Sequence, residues 1–393
     1  MSVELDQSRT DLPKVAAAAP PFRPKVLHVG KFYPPHMGGI ETHLQALSEE
    51  LAKSLDLRVI VANDARLDTH QELGGVRVHR VSTYLTLFST PICPGMASAL
   101  RAADADLMHI HLPNPAAVMA YLTSGHRGQL VITYHSDTVK QKVLGGLFEP
   151  FLHAALRRAS AIIATSPDYV ETSPVLQVYR ERCHVIPYGI AISQFQNCDS
   201  AEVARLRQEH GGRIVICVGR LVYYKGLEHV IRAMAHVEGK LLIIGEGPLR
   251  ADLQNLAQQL GIAHRVVFVG EIQNDRVAPY YHAADVFALP SVARSEAFGI
   301  VQIEAMAAGL PVVNTQLDSG VPFVSQHQKT GLTVPPADPA ALAAALNRLL
   351  DNPDLRHKFG EAARQRAERE FDSQVMVSRT LRLYDQVLRT STR

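Results

Sequence analysis

The sequence predicts an α/β protein of two doubly wound domains that face each other across a cleft. Three observations lead there. The chain has 393 residues, too many for one ordinary domain and suited to two of about 150–200. Short β-branched runs alternate with helical segments in both halves, the pattern of a parallel sheet covered by helices. Glycines follow the first strand of each half, joined by cations in the second, and doubly wound sheets bind ligands beyond such strand ends.

The elements follow in order. Residues 1–24 contain four prolines, the charges Asp6, Arg9, Asp11 and Lys14, and one apolar stretch at 15–19. That stretch is too short for the core of a signal peptide, so a disordered tail is expected. The first domain, 25–195, reads as strands at 26–29, 57–61, 107–110, 130–133 and 161–164, with helices at 40–53, 115–123 and 139–158. The second, 196–371, reads as strands at 214–218, 240–244, 266–269, 286–289 and 311–314. Its helices fall at 227–236, 248–260, 275–282, 299–308, 339–350 and 353–370. Pro248 just inside a helix start and Gly261 just past its end mark one of these well. A last helix runs from about 372 to 388 within the segment 372–393. Two such sheets facing each other make the cleft between them the default site.

Composition narrows the function. The chain is 47% hydrophobic with a net charge of +2, which fits a globular protein without a nucleic-acid partner. Cys93, Cys183, Cys198 and Cys217 are scattered, as in reduced cytosolic thiols, with no Cys-x-x-Cys pair. His109 and His111 form a His-x-His on a strand, but no third ligand is recognisable in the sequence, so no metal site is expected. Asp104 and Asp106 precede a strand, at the wrong end for the cleft. No run approaches the roughly 18 apolar residues of a membrane span.

Residues 295–313 carry the strongest functional signal. Glu296 stands just before a helix expected to begin near Gly299, and Glu304 stands inside it. Gly299 and Glu304 are then about 7.5 Å apart along the axis, so the two carboxylates can hold different parts of one elongated ligand. The amides of Phe298, Gly299, Ile300 and Val301 form a helix N-terminus, a natural seat for phosphate. Ile300, Val301, Ile303, Ala305, Met306, Ala307 and Ala308 surround Glu304 with apolar or small side chains. A carboxylate there needs partners: an internal Arg or Lys, or the hydroxyls of a ribose or sugar.

Other motifs converge on the same cleft. Gly38 and Gly39 open a helix after the first strand, and without Cβ atoms they let backbone approach a ligand. They belong to neither a Gly-x-Gly-x-x-Gly fingerprint nor a P-loop. Arg220 and Lys225 share one strand-end loop and suit diphosphate oxygens, or else are solvated surface cations. His135 ends a strand, where it can donate hydrogen bonds or move protons, or serve only packing.

Together these residues resemble the retaining nucleotide-sugar glycosyltransferases of family 4, the glycosyl transferases group 1, over about residues 25–371. The match is most specific at Gly38 and Gly39, His135, Arg220, Lys225, residues 245–248 and 296–313. The resemblance implies the GT-B fold of two Rossmann-like domains, with the final helix crossing back to the first. It brings Gly38 and Gly39 toward the donor diphosphate and binds that diphosphate with Arg220 and Lys225. Glu304 would hold the ribose, Glu296 the transferred sugar's hydroxyls, and the amides of 298–301 both sugar and phosphate. His135 would sit over the sugar, and the loop holding Gly270 and Ile272 resembles the base-binding strand end. Residues 319–323 read Ser-Gly-Val-Pro-Phe where many members read Gly-Gly-x-Pro-Glu, which bears on subfamily and acceptor. Residues 134–137, 164–167, 186–189 and 295–299 look most like bacterial polysaccharide mannosyltransferases, pointing to GDP-mannose.

The implied activity is transfer of a hexose from a nucleotide-diphosphate sugar to a glycan or polyprenyl-linked acceptor. Arg220, Lys225 and the helix N-terminus at Gly299 would stabilise the leaving diphosphate, without a metal or other cofactor. The alternatives are a nucleotide-sugar epimerase of the same fold and a catalytically inactive nucleotide-sugar-binding protein. A cytoplasmic location, at the inner face of the plasma membrane, follows. Segment 139–158 mixes Lys140, Lys142, Arg157 and Arg158 with Val143, Leu144, Leu147, Phe148, Phe151 and Leu152. It either seats the protein on anionic lipid or packs on its own sheet.

Overall fold

The computed structural model describes residues 23–36, 38–87, 90–137 and 142–390. The expected tail lies almost wholly outside the described residues, as do residues 139–141 of the basic segment. The first sheet holds β1 (Lys25–Val29), β2 (Asp56–Ala62), β3 (Thr69–Leu73) and β4 (Val76–Val81). After a separate hairpin of β5 (Leu85–Leu87) and β6 (Thr90–Ile92) come β7 (Leu107–Leu112), β8 (Gln129–Tyr134), β9 (Ala161–Ala164) and β10 (Cys183–Val185). The order is β10-β9-β8-β7-β1-β2-β4-β3, parallel except for β3 against β4. The second sheet holds β11 (Ile214–Val218), β12 (Lys240–Ile244), β13 (Val266–Gly270), β14 (Val286–Leu289), β15 (Val312–Thr315) and β16 (Gly331–Val334). It runs β13-β12-β11-β14-β15-β16, and every pair is parallel. Both halves are Rossmann-like, and the protein has the GT-B architecture.

The strands absent from the sequence reading include polar and short ones. β3 reads Thr-His-Gln-Glu-Leu at the sheet edge and β5 is exposed throughout, so neither shows a buried run. The strand order reverses between β1 and β7 in the first sheet and between β11 and β14 in the second, the points where such sheets open a crevice.

Two chain crossings join the domains side by side. Ile190 N donates to Phe371 O at 2.9 Å, and Ser373 N donates to Ile190 O at 2.9 Å. The helix Ser373–Thr390 then packs on the first domain, placing Met376, Val377, Leu383, Tyr384 and Val387 in a core shared with Leu44, Leu47 and Leu51. In the helix Lys142–Arg158, Phe148 and Leu152 turn toward the first domain's core, whereas Phe151 is exposed beside exposed Arg157 and Arg158. The side chains of Lys142, Val143, Leu144 and Leu147 lie outside the described residues.

One face of the first sheet is unusual. Because side chains alternate along a strand, Leu27, Val29, Met108, Ile110, Leu112, Ile132 and Tyr134 enter one apolar core. On the other face Val26, Leu107 and Val131 are apolar, but the following positions are His28, His109, His111, Thr133 and His135. Register aligns His28 with His109 and His111 with Thr133. His43, from the helix Gly39–Ala52, completes a group of five buried imidazoles. Three further imidazoles thus stand beside the His109–His111 pair, which the sequence alone did not show. His28, His109 and His111 bring ring nitrogens within 4.8 Å of one another, as do His43, His111 and His135.

Burial holds all five rings neutral. It lowers His28 to about 3 and His43 to about 3, with the His43 ring adding to the effect on His28. Burial, with neighbouring imidazoles, drives His109, His111 and His135 well below the usual value. An unfolded ring takes up a proton below about pH 6.5, which the folded ring refuses. Stability is therefore full above pH 6.5 and is lost as pH falls from 6.5 toward 3. Well below 6.5 each ring contributes about 1.4 kcal/mol per pH unit. Urea midpoints should drop sharply between pH 7 and pH 5.5, and equal midpoints at the two would contradict a neutral cluster.

Candidate active site

The second domain's site forms where its strand order reverses. β11 ends at Val218, and the loop beyond it carries Arg220, a short 3-10 turn at Tyr223–Lys225, and Gly226. Gly226 has φ +62, and a Cβ there would lie 2.2 Å from Pro290 O. Glycine is thus required for the loop after β11 to rest on the loop after β14. Val292 N donates to Tyr224 O at 2.9 Å and seals the contact.

That contact brings Lys225 to Glu296. Lys225 Nζ lies 2.6 Å from Glu296 Oε2, and the side chains are only 12% and 10% exposed. Ser291 Oγ donates to the same oxygen at 3.1 Å. Burial alone would lower the Lys225 pKa, but the charge and hydrogen bond of Glu296 outweigh it, leaving it above the usual lysine value. The lysine is therefore charged. Residues read from sequence as a diphosphate ligand and a sugar ligand are partners here. Arg220 stands exposed on the same loop.

The helix after Glu296 starts later than the sequence suggested. It spans Val301–Ala307, so Phe298, Gly299 and Ile300 precede it. The reason is local: Gly299 has φ +73, a left-handed conformation no α-helical residue takes. Among the described residues, no backbone carbonyl accepts from the amides of Phe298, Gly299 or Ile300. Phe298 itself is buried, and Gln302 Nε2 donates to its carbonyl at 3.2 Å. Glu304 is half-buried, and its partner is neither Arg nor Lys but the Tyr281 hydroxyl, which donates at 2.7 Å. Burial raises the Glu304 pKa, opposed by that hydrogen bond and by Lys225. Gly270 closes β13, its carbonyl accepting from Gly245 N at 2.7 Å, and half-buried Ile272 packs on the core beneath.

From the first domain, Gly38 and Gly39 open the helix Gly39–Ala52. A Cβ on Gly39 would meet nothing within 4 Å, so the space before it is open to a ligand. His135 is buried, with both ring nitrogens engaged: Nε2 with His111 Nδ1 at 3.0 Å and Nδ1 with the Tyr188 hydroxyl. His43 Nδ1 is buried without a partner.

Two contacts missed in the sequence reading tie the domains together. Arg294 Nη2 pairs with Asp137 Oδ2 at 3.0 Å, and its Nη1 donates to Thr172 O at 3.3 Å. Asp137 also accepts from Ser173 Oγ at 2.8 Å and Tyr134 OH at 2.9 Å. Tyr188, from the crossing, meets Phe298 edge-on at 4.9 Å. Asp137 lies two residues after His135 and Arg294 two before Glu296, so this bridge connects the segments carrying both. Proximity to motif residues was the one sequence signal for either.

Residues 38–189 match the family described as glycosyl transferase 4-like domain, and residues 200–366 that described as glycosyl transferases group 1. The chain is 34% identical over 372 residues to O-antigen chain mannosyltransferase C of Escherichia coli, covering 93% of this chain and 99% of that one. The chain belongs to the group 1 glycosyltransferases. This glycosyltransferase is also 32% identical over 351 residues to D-rhamnosyltransferase WbpZ of Pseudomonas aeruginosa, across 88% of its own length and 92% of the relative's. Its fold matches sucrose-phosphate synthase from Thermosynechococcus elongatus with a TM-score of 0.78 at 26% identity, covering 94% of this chain and 100% of that one. It is a hexosyltransferase, and among the described residues no helix is long and apolar enough to cross a membrane.

The buried pair gives a direct test. Lys225→Met should destabilise the protein by about 3–5 kcal/mol, because Glu296 is left buried and unpaired. Adding Glu296→Gln should restore much of the loss. Urea denaturation at pH 7 checks both, and a single variant as stable as the parent would contradict the pairing.

Proposed function

We propose that this glycosyltransferase moves a hexose, with retention of configuration, from GDP-mannose or a closely related nucleotide-diphosphate sugar to a hydroxyl of a glycan or polyprenyl-linked acceptor. The observation that carries the reading is Lys225, charged, buried and bonded to Glu296 where the second sheet's strand order reverses. A diphosphate arriving there shares Lys225 with Glu296 and gains Arg220 and the amides of Phe298, Gly299 and Ile300. Those groups stabilise the charge that grows on the phosphate as the glycosidic bond breaks. Glu296, released in part from Lys225, accepts hydrogen bonds from the sugar, and Glu304 with Tyr281 holds the ribose. The acceptor hydroxyl attacks from the face the nucleotide leaves, with the departing phosphate taking its proton. The kinship with O-antigen and rhamnosyl transferases supports polysaccharide assembly as the setting. Exposed Phe151, Arg157 and Arg158 give the helix Lys142–Arg158 a side able to meet anionic lipid at the cytoplasmic face.

Two side-chain cations neutralise the diphosphate in this reading, so transfer should proceed equally well in EDTA. Loss of rate in EDTA, restored by manganese or magnesium, would contradict it.

The two glutamates should separate. Glu296→Gln frees Lys225 for phosphate, so nucleoside diphosphate binding should hold or tighten while kcat falls roughly 100-fold. Glu304→Gln should weaken nucleoside diphosphate binding by about tenfold, a loss of uniform binding. Calorimetry with GDP and with UDP, beside rates of nucleotide release, distinguishes the roles. Weakened binding in Glu296→Gln with unchanged binding in Glu304→Gln would reverse them.

A further inference from the structure

The buried polar face of the first sheet is one continuous chain of hydrogen bonds. His109 Nε2 meets Thr133 Oγ1 at 2.6 Å, and His109 Nδ1 meets Tyr384 OH at 2.6 Å. Tyr384 OH also meets His28 Nε2 at 2.9 Å. His28 Nδ1 lies 3.4 Å from His111 Nε2, with Ser48 Oγ at 3.3 Å from the same nitrogen. His111 Nδ1 continues to His135 Nε2 at 3.0 Å, and His135 Nδ1 ends on Tyr188 OH. Four imidazoles and two phenols thereby form one chain from Thr133 to Tyr188 at the domain boundary, with Tyr384 of the C-terminal helix inside it.

Proton counting restricts this chain severely. A neutral imidazole has one N–H and one bare nitrogen, and a hydroxyl has one hydrogen to give. If Tyr188 donates to His135 Nδ1, then His135 Nε2–H donates to His111, His111 Nε2–H to His28, and His28 Nε2–H to Tyr384. Tyr384 then donates to His109, whose Nε2–H donates to Thr133, because accepting from both rings would leave the buried phenol hydrogen without a partner. Reversing any one bond reverses all of them, and each ring becomes the Nδ1–H tautomer. Either all four histidines carry the proton on Nε2, or all four carry it on Nδ1. Mixed states leave two donors or two bare acceptors facing each other, or the Tyr384 hydrogen unpaired, in a buried site, which is costly.

We propose that His111, Tyr188 and Tyr384 are positioning residues for sugar transfer, setting through this relay whether His135 Nδ1 donates or accepts. The inference rests on the reading of His135 as the residue over the transferred sugar. Nδ1 is the nitrogen on the donor side, because its partner Tyr188 lies edge-on to Phe298 at 4.9 Å. A sugar hydroxyl reaching that nitrogen must share it with Tyr188, so its polarity decides which hydrogen bond the sugar can make. Tyr384 controls that polarity from three hydrogen bonds away, although it belongs to the helix Ser373–Thr390, outside the cleft.

The test combines spectroscopy and kinetics on the full chain. With 15N-labelled histidine, assigned by single His→Gln variants, nitrogen shifts should show one shared tautomer for His28, His109, His111 and His135 at pH 7.5. Tyr384→Phe should break the sharing and lower kcat roughly 10- to 100-fold, with donor KM changed less than twofold. Tyr188→Phe, at the His135 end of the chain, should give the same split between kcat and KM and guards against a folding defect in the first variant. Different tautomers among the four rings in the parent protein would overturn the relay. So would a folded Tyr384→Phe with parental kcat and parental nitrogen shifts. If the parent protein turned over no nucleotide sugar while its four rings still shared a tautomer, the transfer reading would fail and the relay would stand as structure.

Discussion

Tyr384 is the joint on which the arrangement of both domains depends. It sits near the chain's end, fully buried, and its hydroxyl meets His28 on β1 and His109 on β7. A phenol placed in a core without a partner is unfavourable by several kcal/mol, so the C-terminal helix can dock in few other ways. Once docked, it fixes the crossing at Phe371–Ser373, which is hydrogen-bonded to the other crossing at Ile190. The second domain's orientation thus descends from a hydrogen bond inside the first. Polar groups specify this docking more strictly than the apolar side chains around them, because apolar contact tolerates sliding and hydrogen bonds do not.

The loops of the second domain's site then meet on a rigid base. Parallel strands place every carboxyl end on one edge, so the loops after β11 and β14 meet. Gly226 lets them meet without a side chain between them. Into this contact the chain puts one cation and one anion, each buried and each dependent on the other. A buried ion pair adds little net stability, since desolvating both charges offsets their attraction. In the proposed function its value lies in readiness: Lys225 is held charged and in place before any phosphate arrives, so little reorganisation is left for the reaction itself.

Closure across the cleft has its own elements. Arg294 and Asp137 bond the second domain to the first, and Tyr188 rests on Phe298. All four residues lie within a few positions of Glu296 or His135 or bond to them directly. Movement between the domains and the geometry of the site are therefore mechanically linked. Gly320 adds to this, for its amide donates to Ala297 O at 2.7 Å and its Cα side faces Phe298 and Ser166. The 319–323 segment, where the sequence departs from the common family pattern, still shapes the loop behind Glu296.

The sequence by itself determined the fold class, the two parallel sheets, most strand and helix positions, and the family. These are properties of short windows: β-branched runs of four to six residues, helical periodicity, glycines and cations at strand ends. It misplaced the start of the Glu304 helix by two residues, about half a turn, because Gly299 takes a left-handed conformation that a helical pattern does not reveal. It took His109 and His111 for a pair without company, because His28, His43 and His135 come from three other elements. Likewise no window shows that Lys225 bonds Glu296, 71 positions away, or that Tyr384 bonds His28, 356 positions away. Local pattern chose the elements and the chemistry available to them. Which charge meets which charge, and which ring meets which hydroxyl, was decided by how two sheets and one returning helix pack, because burial leaves a polar group only the partners that geometry supplies.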